Sequence, residues 1–289
     1  MDDTLPHNAA EALERSLTGH ASRRGFLMGV AAIGAAAAGA GLLKGSAFAQ
    51  SAADSAQTIL NVATTAETLA VTFYSNGVSN AATLGITGDD LNYLVAAAIE
   101  EQIHLNFLLS NGGQAATTTF SFPKAATTFS DLSAFLSTQQ QLEGVFDSAY
   151  TAATYEFIQL GQPALARVAT QIGMVEDQHR VLGRIVAQDN NITLDSSLAM
   201  TSSPTPENNW GFAPQLVTSV GAAVPLVQSA GYLSPASGNS YSYQAIDFTS
   251  STYASVYSTI MYTTPFVATP TLATPVYRHH NKKHHNKKQ

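Results

Sequence analysis

Glu101-Gln102-Ile103-His104 and Glu176-Asp177-Gln178-His179 are the two stretches on which the fold turns. Both read Glu-x-x-His. At i and i+3 of a helix, a carboxylate and an imidazole share one face and can reach one ion or two neighbouring ions. His104 and His179 are the only histidines between Gln50 and Arg278, and both carry Glu at −3 although those 229 residues hold only seven glutamates. The flanks are apolar: Ala96, Ala97, Ala98 and Ile99 before the first pair, Ile172, Met174 and Val175 before the second. A single Glu-x-x-His is usually a solvated pair. Two copies in apolar segments point instead to a shared buried site, where uncompensated carboxylates would repel and divalent cations would remove that cost.

Outward from these pairs, four segments carry helical period or helix ends. Residues 53–78 place Ile59, Val62, Ala63, Ala66, Leu69, Ala70 and Phe73 on a 3.6-residue period. Residues 89–109 open after Gly88 with Asp89-Asp90 and stop at Asn111-Gly112-Gly113. Residues 130–160 have Ser130 or Asp131 as cap, and 163–189 begin with Pro163, whose missing N–H costs nothing in a first turn. The first link has about ten residues and the third two or three, so both read as helical hairpins. The second link, 110–129, is long enough to cross a bundle of about 30 Å and contains a strand-like 117–123. The expectation is an all-α four-helix bundle with a long helix 2–3 crossover.

Spacing selects the remaining ligands. Bundle di-metal sites take Glu-x-x-His from two helices and a lone Glu from each of the other two. Glu67 is the single glutamate of the first segment, whereas the third offers Glu143 and Glu156. Residues level in an antiparallel hairpin are equidistant from its turn. The midpoint of 67 and 101 is 84, inside the first link; that of 143 and 176 falls between 159 and 160, just before Gly161-Gln162-Pro163. The midpoint of 156 and 176 is 166, inside the fourth helix. Glu143 is therefore the expected ligand, beside Glu67, Glu101, His104, Glu176 and His179. Each Glu-x-x-His would hold one ion, with Glu67 and Glu143 completing or bridging the site. Tyr74 and Tyr150 each follow their glutamate by seven residues, a weak internal repeat. They are expected as core residues or as hydrogen-bond donors to ligands. Glu100 is expected to be solvated or to support a ligand, and Asp147 is a candidate partner for a ligand histidine. A carboxylate-rich nitrogen/oxygen set suits two Fe or Mn ions.

Composition bounds the function. Charged residues make up only 11 % of the 289, and cysteine is absent, which excludes disulfides, thiolate metal sites and cysteine nucleophiles. From Gln50 to Tyr277 four basic residues face sixteen acidic ones, a net −12. Such a body attracts cations and repels nucleic acid.

The two ends differ from the middle. Ser22-Arg23-Arg24-Gly25-Phe26-Leu27-Met28, a weakly apolar 29–43, and Ala47-Phe48-Ala49 read as a twin-arginine export signal over 1–49. That predicts recognition by the twin-arginine export machinery and a bacterial periplasmic or extracellular location. The bundle is assigned to 50–190. Residues 191–277 form an irregular extension poor in charge and rich in Ser, Thr, Pro and Tyr, with helical period only near 214–230 and alternation at 240–243. Residues 278–289 are a His/Lys tail whose His279, His280, His284 and His285 are candidates for metal capture.

These residues resemble the ferritin-like domain family, in particular its exported, desiccation-related branch. The resemblance runs through Asn61-Val62-Ala63-Thr64-Thr65-Ala66-Glu67 to Phe73-Tyr74, through Ile99–Leu108, and through Met174–His179, and spans about 55–190. It implies a link to dryness or oxidative stress. Three function classes follow: a di-iron or di-manganese oxidoreductase acting on Fe(II), O2 or peroxide; a metal-sequestering protein; and a structural, desiccation-protective protein using the bundle as scaffold. A homo-oligomer is compatible with each.

Overall fold

The computed structural model describes residues 53–194 and 211–268. The export signal, the tail histidines and residues 195–210 lie outside the described residues.

Among the described residues four long helices form, each with a local cause at its ends. Helix α1, Ala56–Ser79, starts where the Ser55 hydroxyl accepts the amide of Thr58. Helix α2, Gly88–Ser110, carries Asp89 and Asp90 in its first turn, where carboxylates meet the positive end of the helix dipole. Helix α3, Leu132–Gln159, is capped by Asp131, whose Oδ1 accepts the amide of Ala134 at 2.7 Å. Helix α4, Pro163–Asp189, has Pro163 at its start, and Gly161 before it takes a left-handed φ of 68°. The link after α1 holds a one-turn helix, Ala81–Leu84.

Helices α1 and α2 pack as one hairpin, and α3 and α4 as the other. Between them the crossover runs along α1. The amide of Gln114 bonds Asn61, that of Ala116 bonds Thr65, and Phe122 and Phe129 reach the ring of Phe73 further up the helix. The expected strand at 117–123 reduces to β1, Thr119–Phe120, followed by a 3₁₀ turn, Ala125–Phe129. Helix α3 ends beside the start of α1, where Glu156 accepts the amide of Asp54 at 2.9 Å.

The interior has two apolar regions with a polar layer between them. One centres on Phe73, Phe122, Phe129 and Phe135, the rings of Phe73 and Phe135 stacked at 4.6 Å. The other holds Ile59, Leu60, Tyr150, Ala153, Phe157 and Ile172. Thr64, Thr68 and Thr72 are buried in α1 without polar partners across the bundle, because each hydroxyl bonds the carbonyl four residues back.

The extension wraps the bundle. Strand β2, Tyr241–Ser242, pairs antiparallel with β1. The helix expected near 214–230 is the short α5, Ala223–Ser229, lying on α3. Glu156 also accepts the amide of Val220 at 3.0 Å, and Asp54 that of Gly221 at 2.6 Å. Further on, the Tyr243 hydroxyl and the Ile246 amide both bond Gln102 Oε1 at 3.0 Å, and Phe266 exchanges two hydrogen bonds with Gln171 of α4. Among the described residues no helix is long and apolar enough to cross a membrane.

Candidate metal centre

Each long helix contributes to the polar layer. Glu67 comes from α1, Glu101 and His104 from α2, Glu143 from α3, and Glu176 and His179 from α4. All four carboxylates and His179 are buried, and His104 is nearly so.

The six side chains form two overlapping groups. Ligand atoms of Glu67, Glu101, His104 and Glu176 lie within 4.8 Å of one another, and so do those of Glu101, Glu143, Glu176 and His179. Glu101 and Glu176 belong to both. Their oxygens divide between the histidines: His104 Nδ1 lies 3.6 Å from Glu101 Oε2 and 3.4 Å from Glu176 Oε1, while His179 Nδ1 lies 3.1 Å from Glu101 Oε1 and 3.3 Å from Glu176 Oε2. Glu67 stands only at the His104 end, at 3.7 Å, and Glu143 only at the His179 end, at 3.5 Å. Of the two roles open to Glu67 and Glu143, this geometry favours completing the site over bridging it. Glu156 is absent from both groups, held at the end of α3 by two backbone amides.

The residues around the cluster orient it. The Tyr74 hydroxyl donates to Glu143 Oε1 and the Tyr150 hydroxyl to Glu67 Oε1, each from the opposite half of the bundle. His179 Nε2 lies 2.9 Å from Glu100 Oε2. With Nε2–H given to Glu100, Nδ1 keeps its lone pair for the cluster. Glu100 thus serves the histidine of the other helix. Asp147 does not reach a ligand histidine: its Oδ2 accepts Arg180 Nη1 at 2.6 Å. Arg180 follows His179 by one residue, so it leaves α4 at a different angle and meets Asp147 along the α3–α4 seam. Gln139 was not singled out by the sequence. Its Nε2 lies 3.1 Å from the Tyr74 hydroxyl and donates to the carbonyl of His179 at 2.9 Å. Its signal was a polar run, Gln139-Gln140-Gln141, inside an otherwise packed helix. Gln102, inside the first Glu-x-x-His, is a second such residue.

The electrostatics are those of a crowded carboxylate site. Burial, then the charges of Glu176 and Glu67, push Glu101 well above the ordinary carboxylate range. Burial and Glu176 push Glu143 up to about 8. Burial also acts to raise Glu176, but the adjacent imidazoles of His104 and His179 outweigh it and hold that carboxyl low. Burial alone would lower both imidazoles; their surroundings, led by Glu101 for His104 and by the electrostatic effect of Tyr74 and then Glu100 for His179, raise them instead.

Metal fits these residues. Both oxygens of Glu101 and Glu176, Oε2 of Glu67 and Glu143, and Nδ1 of both histidines are buried without a hydrogen-bond partner, on the residues of the two overlapping groups. Buried polar atoms are normally satisfied. Eight such atoms contributed by four helices suit metal ligation. The fold and this layer define a four-helix bundle with a buried carboxylate–histidine cluster in its core.

Residues 55–188 match the family model of the ferritin-like domain. No curated protein and no solved structure matches the chain. The match thus covers the four-helix bundle, and the Glu/His cluster within it could hold metal.

Proposed function

We propose that this is an exported ferritin-like protein that holds two Fe or Mn ions and oxidises Fe(II), or reacts with O2 or peroxide, in stress protection. The observation that carries the reading is the division of Glu101 and Glu176 between the two histidines, with one further glutamate at each end. An N₂/O-rich donor set of this kind suits Fe or Mn. Bound there, such ions would supply one-electron steps with O2 or peroxide.

The chain's own residues do the rest. Glu101 and Glu176 would contact both ions, Glu67 and His104 one, Glu143 and His179 the other. Tyr74 and Tyr150 fix the terminal carboxylates by donating a hydrogen bond to one oxygen of each, which leaves the other oxygen free to ligate. Glu100 fixes the tautomer of His179. The apolar regions on both sides keep bulk water away, which strengthens every charge interaction in the layer.

Export rests on Arg23-Arg24 and the segment after them. Arg23→Lys with Arg24→Lys should leave the protein in the cytoplasm. The test of the metal reading is metal content of the full chain by mass spectrometry, compared with Glu101→Ala. About two Fe or Mn per chain, lost in the variant, is the expected result. The comparison also separates the bundle from the tail histidines, which the substitution leaves intact. Equal metal in both proteins, or none in the parent, would overturn the reading and favour a scaffold role.

A further inference from the structure

A cavity of about 160 Å³ lies between α1, α3 and the extension. Native interiors hold few voids larger than a water molecule. A void of this size is close to the roughly 150 Å³ of engineered apolar cavities that stay dry and take up benzene.

Three side chains with polar atoms line it, Asn61, Thr65 and Tyr150, and each is already engaged. Asn61 Oδ1 accepts from Gln57 and from the amide of Gln114. Thr65 Oγ1 donates to the carbonyl of Asn61 and accepts the amide of Ala116. The Tyr150 hydroxyl is turned to Glu67. A buried water needs two to four polar partners, and a charged group needs more. The cavity offers these to neither.

The room comes from small side chains: Ala63, Ala66, Ala149, Ala153 and Ala223 line it where leucine or phenylalanine would fill it. Val220, Ala223, Val227 and Leu233 close one side. These four lie beyond the ferritin-like match at 55–188, so the extension deepens a pocket that stays partly open beside the exposed Ala116 and Val224.

We propose that this cavity binds a small neutral apolar molecule, a ring or short hydrocarbon chain of about six carbons. Its occupant lies against the ring of Tyr150, one side chain away from the Glu67 end of the cluster. Binding needs no metal, so the proposal stands or falls separately from the function above.

The test uses the full chain, metal-free and metal-loaded, with benzene and n-hexane as ligands. Both should raise the thermal midpoint in a saturable manner, and xenon followed by its NMR shift should bind and be displaced by benzene. Ala223→Phe, which fills the pocket from the extension side, should lower benzene affinity tenfold or more. Should that variant fail to fold, displacement of xenon by benzene in the parent protein decides the matter. No saturable binding of benzene or xenon to the parent, or undiminished binding to a folded Ala223→Phe, overturns the proposal.

Discussion

Tyr74 of α1 donates its hydroxyl to Glu143 of α3, and Tyr150 of α3 returns the same bond to Glu67 of α1. The internal repeat seen as Glu followed seven residues later by Tyr is therefore a crossed pair: each tyrosine supports the glutamate of the other half. Tyr74→Phe removes the donor while keeping the ring in its edge contact with His179, 5.6 Å between centroids. Partners of this kind typically change metal affinity by about 10- to 100-fold when removed. A chelator-competition titration of Tyr74→Phe should show a loss in that range with two ions still bound at saturation. Unchanged affinity would mean that the tyrosines fill space and do not tune the site.

The stoichiometry should depend on which glutamate is removed. Glu101 turns one oxygen to each histidine, so Glu101→Ala should empty both positions. Glu143 stands only at the His179 end, so Glu143→Ala should leave about one ion per chain. Glu156→Ala should keep both ions but release the amides of Asp54 and Val220, at a cost of about 1–3 kcal/mol in unfolding free energy. Metal counts after desalting, with urea unfolding on the same samples, check all three. Equal metal loss from Glu143→Ala and Glu156→Ala would refute the assignment of Glu143.

Protons and metal should compete for this layer, with opposite consequences for pH. In the metal-free protein, Glu143 is raised by burial and Glu176 to about 8, and both imidazoles are raised by their acceptors. A group raised on folding adds stability below its unfolded pKa and loses it as pH climbs through its folded one. Metal-free stability should therefore fall between about pH 5 and 8. Metal binding needs the deprotonated ligands, so affinity should rise over the same interval with protons released. Calorimetry in buffers of different ionisation enthalpy measures that release, and Glu143→Gln should flatten the metal-free slope. Proton-neutral uptake at pH 7 would contradict the pKa order.

How much of this was legible in the sequence depends on the range of the interaction. Hairpin arithmetic separated Glu143 from Glu156 because residue number converts to height along an antiparallel pair, and the structure puts Glu156 at the helix end. Asp147, a candidate partner for a ligand histidine from its place one turn after Glu143, bonds Arg180 instead. Periodicity places a side chain on a face without saying which residue of the neighbouring helix stands opposite, and there it is Arg180. The clamp on Gln102 was invisible. Its partners Tyr243 and Ile246 lie more than 140 residues away, in a segment with little charge and weak period. The extension is held largely through backbone amides and carbonyls, which leave almost no trace in side-chain pattern.

Gly183 sets the distance between α3 and α4 at the level of the cluster. A methyl group there would stand 1.7 Å from Gln139 Oε1 and 2.8 Å from Gln140 Nε2, so Gly183→Ala has to displace two buried amides. Gln140 Nε2 donates to the carbonyl of Arg180 at 2.9 Å, and Gln139 supports both Tyr74 and the backbone of His179. Overpacking of this sort costs about 1–3 kcal/mol. The strain is specific, because the nearest conflict is with one side chain. In a Gln139→Ala background the methyl group loses its closest obstacle, and the two substitutions should fail to add. Urea unfolding of the parent, both single variants and the double variant measures that coupling. A Gly183→Ala penalty of the same size with and without Gln139 would show that the glycine answers to the helix backbones rather than to the glutamine beneath Tyr74.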